Sequence, residues 1–140
     1  MYAHGEPVHG EKVSTDASAG VAIPIYNEGS TTARTLGADE YIEVHEVQVS
    51  SVAAGLTIVS FGATNPGSSP TAGNRVVSAA LPINGSIQMS HVHAVGPVGA
   101  TLWLTAPAGD SSHVTLKATI RSATANNSRP KWMESLTPGV

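Results

Sequence analysis

The stretch His113-Val114-Thr115-Leu116-Lys117-Ala118-Thr119-Ile120-Arg121 decides the fold class of this chain. Its apolar residues alternate strictly with polar ones. Successive side chains of a β-strand point to opposite faces, so this alternation is typical of a strand with one buried and one solvated face. Shorter alternating stretches recur along the sequence, and no stretch has the periodicity of an amphipathic helix. The sequence therefore predicts an all-β protein in which Val114, Leu116 and Ile120 face the core.

Turn signals divide the sequence into about eight short strands, of which the alternating stretch is the last. Residues 40–50 form a long candidate strand, and its alternation slips at His45-Glu46, which indicates a β-bulge. Short strands separated by Gly, Pro and Asn at regular intervals favour a single-domain antiparallel β-sandwich of the jelly-roll kind. The other predicted strands cover residues 20–26, 32–36, 55–61, 75–83, 86–92, 100–106 and 112–122.

Two sequence signals predict how some strands are arranged. Asn84-Gly85 is the strongest hairpin signal in the chain, because both residue types tolerate the positive φ of a type I′ turn. It predicts that residues 75–83 and 86–92 pair with each other. Pro24 has no N–H to donate to a neighbouring strand, which favours an edge position for the strand that contains it.

The sandwich is expected to occupy residues 20–122, between two polar arms. Residues 1–19 contain Val8 and Val13 as isolated apolar side chains among His, Glu, Lys and Asp. That is too little apolar surface to offset the entropy lost when the segment is ordered. We therefore expect an N-terminal arm that orders on a partner, with a frayed terminus as the open alternative, and a polar C-terminal tail over residues 123–140.

Both arms carry residues that we predict to contact a partner. In the tail, Arg129, Lys131 and Trp132 lie close together, and Trp and Arg are the side chains most enriched at binding hot spots. Packing of Trp132 against its own domain is the open alternative. In the N-terminal arm the predicted contact residues are Val8, His9 and Val13.

The composition is poor in charge. Charged residues make up 12% of the chain and the formal net charge is −3, whereas an average soluble domain is about 25% charged. A surface of Ser, Thr, Ala and Gly is easily desolvated, which suits a protein packed against neighbours, although a small sandwich with a neutral surface explains it equally well. The sequence has no basic stripe of the kind that nucleic-acid binding needs. No stretch approaches the ~20 apolar residues of a membrane span, and without cysteine neither disulfides nor Cys-ligated zinc can stabilise the fold.

His91-Val92-His93 is the sharpest candidate for chemistry. On a strand, both imidazoles would project from one face, close enough to share a metal ion. With Gly85 six residues earlier, the stretch resembles the start of the first motif of the cupins, which are jelly-roll metalloproteins. The motif expects a glutamate shortly after the second histidine, and Ala94-Val95-Gly96-Pro97-Val98 follows instead.

A metal site of three or four ligands is not completed by two histidines. A third ligand would have to come from Glu43, His45 or His113. We therefore predict no bound metal and no cofactor, with the histidines covering a sheet surface or lining a subunit interface. No nucleophile elbow, ordered Ser-His-Asp set or phosphate-binding loop stands out, so the protein is predicted not to be an enzyme.

Taken together, the sequence resembles a bacteriophage head decoration (cement) protein of the jelly-roll type. The resemblance covers roughly residues 20–122. It implies a non-enzymatic virion protein that is made in the host cytoplasm and binds, as a homotrimer, the outer surface of a capsid built from the major capsid protein. It rests on Asp39-Glu40-Tyr41-Ile42-Glu43-Val44, on Asn84-Gly85, on the loop at 96–99 leading into Ala100-Thr101-Leu102-Trp103-Leu104, and on the alternating last strand.

Two other functions remain open on the sequence alone. One is a β-sandwich module that binds carbohydrate or a protein partner, although aromatic platforms for sugars are scarce, with Phe61, Trp103 and Trp132 the only large rings besides tyrosine. The other is a cupin-like metalloprotein. Metal analysis separates the last function from the first two, and an obligate trimer in solution favours capsid decoration.

Overall fold

The alternating stretch near the end of the sequence is confirmed as a strand with a buried apolar face. The computed structural model describes residues 5–108 and 111–123, which form ten β-strands and one short 3-10 helix. Val114 is fully buried, and Leu116 and Ile120 are each 3% exposed. The strands are β1 (Glu6–Ser14), β2 (Val21–Ile23), β3 (Ile25–Asn27), β4 (Glu40–Ser51), β5 (Gly55–Gly62), β6 (Arg75–Leu81), β7 (Gly85–Met89), β8 (Ala94–Val95), β9 (Thr101–Thr105) and β10 (Ser112–Ser122).

Two antiparallel sheets pack face to face. The six-stranded sheet has the order β3-β1-β10-β4-β7, and the short β8 also pairs with β4. The four-stranded sheet has the order β2-β9-β5-β6. The chain is therefore an all-β, single-domain antiparallel β-sandwich, as the sequence predicts. None of the described residues belongs to a helix long and apolar enough to cross a membrane.

The core lies where the inward faces of the two sheets meet. Leu102 and Leu104 of β9 are fully buried opposite the inward side chains of β10 and β4, and they belong to one continuous apolar cluster with Leu116. Burying a leucine side chain contributes about 1.5–3 kcal/mol. Both sheets therefore owe their stability to the same set of side chains.

The bulge predicted at His45-Glu46 is confirmed. The register between β10 and β4 passes from Lys117 opposite Glu46 to Ala118 opposite Val44, so His45 is the extra residue. The extra residue corrects the phase of the strand, because Val44 on one side of it and the apolar residues on the other side all face the core. It also turns the polar residues on both sides of the bulge to the same outer face.

The predicted N-terminal arm is wrong for residues 6–14, which form β1 inside the six-stranded sheet. β1 pairs with β10 over nine residues and with β3 on its other side. Its inward positions hold few apolar atoms, since one of them is Gly10, where a Cβ would lie 3.0 Å from Leu116. Backbone pairing with β10 along the whole strand, and with β3 at residues 8–10, holds β1 in the sheet. The sandwich therefore begins at residue 6 and not at residue 20.

The predicted hairpin at Asn84-Gly85 is also wrong, because β6 and β7 belong to different sheets. The turn itself is present. Pro82 ends β6, Asn84 adopts a φ of 55°, and the N–H of Gly85 donates to the carbonyl oxygen of Pro82 at 2.9 Å. This turn carries the chain across the edge of the sandwich from one sheet to the other.

The edge position predicted for Pro24 is confirmed, with a division that the sequence does not show. Residues 20–26 are interrupted at Pro24, so that β2 lies at the edge of the four-stranded sheet and β3 at the edge of the six-stranded sheet. The strand predicted at residues 32–36 is wrong. This segment is a connection that returns to β3, where the N–H of Arg34 donates to the carbonyl oxygen of Ile25 at 2.6 Å.

Arg34 also clamps this connection to two strands. Its Nε lies 2.8 Å from Glu6 Oε2 of β1, and its Nη2 lies 2.8 Å from Glu40 Oε2 of β4. The hydrogen bonds from Arg34 hold the pKa of both carboxyl groups below the usual value, and the carboxylates of Glu40 and Glu6 raise the pKa of Arg34. The clamp therefore depends on both carboxyl groups being ionised.

Candidate binding face

The outward side of the six-stranded sheet presents charged side chains on three neighbouring strands. We call it the polar face and define it by Glu11 of β1, Lys117 and Arg121 of β10, and Glu43 and Glu46 of β4. Lys117 lies opposite Glu46 in the register of β10 and β4. Arg121 Nε lies 3.0 Å from Glu43 Oε2. Charges of opposite sign thus alternate across the strands, an arrangement that stabilises pairing.

An aromatic pair lies on the polar face at the β1–β3 side. The rings of His9 and Tyr26 stack with centroids 5.5 Å apart and an interplanar angle of 29°. An open depression of about 460 Å³ lies beside the pair, with Val13 and Ser30 among its lining residues. A smaller depression of about 140 Å³ lies on the other side of His9, towards β10 and β4. Glu11 lines both depressions, so His9 and Glu11 form the ridge between them.

The alternation of β1 divides the N-terminal residues predicted to contact a partner. His9 and Val13 point outward and line the larger depression, and Val13 is 56% exposed. Val8 points inward and is 5% exposed. The prediction of Val8 as a contact residue is therefore wrong, because it belongs to the core. The predicted contact residues of the C-terminal tail, Arg129, Lys131 and Trp132, lie outside the described residues.

The carboxylate of Glu43 is the centre of a polar cluster at the other side of this face. The Nδ1 atoms of His45 and His93 each lie 3.7 Å from Glu43 Oε1, while Arg121 is bound to the other oxygen. His45 Nε2 lies 2.7 Å from Thr119 Oγ1 on the neighbouring strand. The side chain of Glu43 is only 13% exposed, because these groups surround it.

Thr119, His45 and Glu43 follow one another in the order hydroxyl, imidazole, carboxylate. A nucleophile and its base need this order, with each pair at hydrogen-bond distance. The distance of 3.7 Å from His45 to Glu43 is longer than a hydrogen bond. The side chains are neighbours across β4 and β10, so the cluster is best described as a cross-strand network that fixes the outward side chains of this face.

Neither His91 nor His93 lies on a strand, although the predicted strand 86–92 includes His91. β7 ends at Met89 and β8 begins at Ala94, so both histidines lie in the connection between these strands. His91 is exposed, and the side chain of His93 is 75% exposed beside Glu43. Among the described residues, no group of three His, Asp or Glu side chains has an arrangement that would hold a metal ion.

The structure brings together residues that the sequence named only separately. Glu43 and His45 meet His93, whereas His113 lies beside Glu11, with Nε2 and Oε1 3.5 Å apart. The bulge was visible in the sequence and accounts for the outward direction of His45. The position of His93 depends on the connection after β7, where the N–H of Val92 donates to the carbonyl oxygen of His45 at 3.0 Å.

No similar protein was found for this chain. No family model matches the sequence, no curated protein is detectably similar to it, and no solved structure matches the chain.

Proposed function

We propose that this chain is a non-enzymatic virion protein that decorates and stabilises the outside of a phage capsid as a symmetric oligomer. The pairing of its strands is the observation that carries the proposal. β5 pairs with β6, β4 with β7, β2 with β9 and β1 with β10. Nested pairs of this kind describe one long antiparallel ribbon rolled into two sheets, which supports a jelly roll, an architecture found in viral capsid and lectin domains.

The positions of the histidines favour decoration over the cupin-like alternative. A cupin-like site would need His91 and His93 on one strand with further ligands beside them. Both histidines lie in a connection, and the space between the sheets is filled by apolar side chains such as Ile42, Leu102 and Leu104. The outer surfaces of the sandwich are therefore the better candidates for function.

We assign the polar face to the capsid. Arg121 and Glu43 hold each other in place across neighbouring strands, so a partner with a complementary pattern can recognise them without ordering two long side chains. The ridge of His9 and Glu11 and the depression beside Val13 add relief to this face. Attachment of several copies in one oligomer would raise avidity without any single strong contact.

Copurification with virus particles tests the proposal. Particles from a culture that produces this chain are separated on a density gradient, and the chain is quantified against the major capsid protein across the particle peak. The proposal predicts a constant ratio of the two proteins through the peak. A chain that stays at the top of the gradient, apart from the particles, would overturn it.

Carbohydrate binding is a second candidate function, favoured by the stacked rings of His9 and Tyr26 beside an open polar depression. Aromatic rings pack against sugar faces, and hydroxyl and carboxylate groups at the rim can bond to sugar hydroxyls. Titration with neutral oligosaccharides tests it. Binding that is lost in Tyr26→Ala and kept in Tyr41→Ala would favour this function, and no binding of any glycan would exclude it.

A further inference from the structure

Charge is distributed very unevenly between the two sheets. From residue 47 to residue 109 the sequence contains one charged residue, Arg75. This segment supplies β5, β6 and β9, and β2 is also uncharged. Arg75 itself is engaged, since its Nε and Nη2 donate to the carbonyl oxygen of Pro70 at 3.1 and 2.9 Å. The four-stranded sheet therefore presents an almost uncharged outer face.

Part of that outer face is covered by the connection between β5 and β6. Trp103 Nε1 donates to the carbonyl oxygen of Gly62, the last residue of β5 before the connection, at 2.9 Å, and Thr105 Oγ1 donates to that of Gly67 within the connection at 3.1 Å. Ile58 lies opposite Thr105 in the register and is 2% exposed, although it faces away from the other sheet. The connection thus covers the β9 side of the face and leaves the β6 side open.

Exposed apolar side chains lie at the open end of this sheet. Leu56 of β5 is 49% exposed, Val52 in the turn before β5 is 44% exposed, and Ile83 in the turn after β6 is 70% exposed. The N–H of Asn84 donates to the carbonyl oxygen of Val52 at 3.0 Å, which holds the two turns side by side. Ala80 lies opposite Leu56 in the register and is exposed as well. We call this surface the uncharged corner and define it by Val52, Leu56, Ala80 and Ile83.

The uncharged corner adjoins an open sheet edge. β6 has seven residues, against three in each of the edge strands β2 and β3 and five in β7. The edge of β3 is partly covered, because the N–H of Arg34 donates to the carbonyl oxygen of Ile25. Natural sheets also protect their edges with charges, prolines or bulges. β6 has such protection at its first residues, where Arg75 is followed by a bulge, whereas residues 77–81 carry neither charge nor proline.

We propose that the uncharged corner, together with the free edge of β6, is the surface through which copies of this chain associate. The occupant is a second copy because the charge distribution favours it. On the polar face three carboxylates, Glu11, Glu43 and Glu46, outnumber two cations, so contact between two identical polar faces would bring like charges together. The uncharged corner can be buried against another copy without that cost.

Two sources of affinity are available at this surface. Burial of the exposed apolar side chains removes water from hydrocarbon, and the free edge offers unpaired backbone groups to a strand of the neighbouring copy. The inference rests on the proposed function for its expectation of an oligomer. It adds the surface that forms the oligomer, and it leaves the polar face of each copy free for the capsid.

The oligomeric mass of the full chain and of four variants tests the inference. Sedimentation velocity is measured over a range of concentrations for the wild type, Ile83→Asp, Leu56→Asp, and the control Val98→Asp, whose residue is as exposed as Leu56 at 49%. The wild type and the control are expected to be oligomers. Each variant of the corner is expected to weaken association roughly tenfold or more, with an unchanged circular dichroism spectrum. Leu56→Ser provides a milder variant if aspartate prevents folding.

A thiol-labelling experiment gives a second readout that does not depend on a disruptive change. The chain has no cysteine, so Ile83→Cys and Val98→Cys each introduce a single thiol. Maleimide labelling of Ile83→Cys should slow as the protein is concentrated, while labelling of Val98→Cys should not. Equal labelling at all concentrations would contradict association through the corner.

The outcomes separate this inference from the proposed function. A wild-type oligomer that persists in both aspartate variants would show that the copies do not associate through the uncharged corner, and it would not bear on capsid decoration. A wild type that is monomeric at every concentration also overturns this inference, and indicates that a different protein covers the corner. Loss of the oligomer in the aspartate variants supports association through the uncharged corner, even if the chain is absent from virus particles. A wild-type dimer would contradict only the expectation of a trimer.

Discussion

The two outer faces of this sandwich have the same pleated backbone and opposite chemistry. On the polar face, side chains such as Arg121 and Glu43 form pairs across neighbouring strands. On the face of the four-stranded sheet, the chain covers one side with its own connection and leaves Leu56 and Ile83 exposed on the other. A face with paired charges can recognise a partner by position, whereas a face without charges can be buried against a copy of itself.

The difference also shows how one fold can serve two contacts. The core between the sheets is common to both faces, so neither face contributes a separate folding unit. The chemistry of each face is decided by the outward residues of its strands. Changes to outward residues should therefore alter one face at a time, whereas changes to the core should affect both.

The largest effect is expected from the loss of β1. Deletion of residues 1–14 removes the strand between β3 and β10 and exposes the core beneath the polar face. We predict loss of cooperative thermal unfolding, measured by circular dichroism or calorimetry. Deletion of residues 1–4 is the matched control, and it should leave unfolding unchanged. An unchanged melting temperature after deletion of residues 1–14 would show that these residues are an arm and not a strand of the sheet that carries the polar face.

The next largest effect is expected from the core that both faces share. Leu116→Ala should lower the free energy of unfolding by about 2–5 kcal/mol, because it removes buried methyl groups and leaves a cavity. Leu56→Ala, on the exposed side of the four-stranded sheet, should change it by less than ~0.5 kcal/mol in the monomer. Urea denaturation measures both. Equal effects of the two substitutions would show that the inward and outward faces are assigned incorrectly.

An intermediate effect is expected from the clamp of Arg34. The pKa values of Glu6 and Glu40 are lowered in the folded chain, so the ionised carboxylates stabilise the fold above the usual carboxyl pKa. This stability is lost as the pH falls below that value and through the lowered pKa values. Arg34→Met should cost about 1 kcal/mol at neutral pH, since the pairs are partly exposed and screened.

The same variant should also flatten the decrease of stability in acid. Arg75→Met is the matched control, because Arg75 is bound to a carbonyl oxygen and not to a carboxylate. Urea midpoints measured from neutral pH down to acid pH compare the three chains. An acid decrease that is the same in Arg34→Met and in the wild type would contradict the role of the clamp.

The smallest effect is expected from a single charge pair on the polar face. Glu46→Lys places two cations opposite each other on β4 and β10, and it should cost about 0.2–1 kcal/mol. The further substitution Lys117→Glu should recover that loss, because it restores the pair in the reverse order. A double variant no more stable than Glu46→Lys would show that Lys117 and Glu46 do not interact.

The sequence predicts those parts of the fold in which one strand face is buried and continuous. The alternation at residues 113–121 and the phase slip at His45 are local patterns, and each has its expected structure. β1 was missed because its inward positions include Gly10 and Lys12, so that its apolar pattern is weak. Pairing with β10 on one side and β3 on the other makes it a strand, and no local signal records that pairing.

Turn signals predicted where the chain turns but not which sheet it enters next. Asn84 has the positive φ that its residue type favours, yet the strands on its two sides belong to different sheets. The sequence predicts the outer surfaces to the same limited extent. The scarcity of charge from residue 47 to residue 109 is visible in the sequence, whereas the strand order alone shows that β5, β6 and β9 of this segment lie together in one sheet.

Hydrogen–deuterium exchange of the wild type at low and high protein concentration tests the division between the two faces most directly. If copies associate through the uncharged corner, concentration should increase protection of residues 52–56 and 75–83 and leave β1 and β3 unchanged. Increased protection of β1 and β3 with unchanged exchange in β6 would contradict the account, because the polar face would then be the surface that joins the copies.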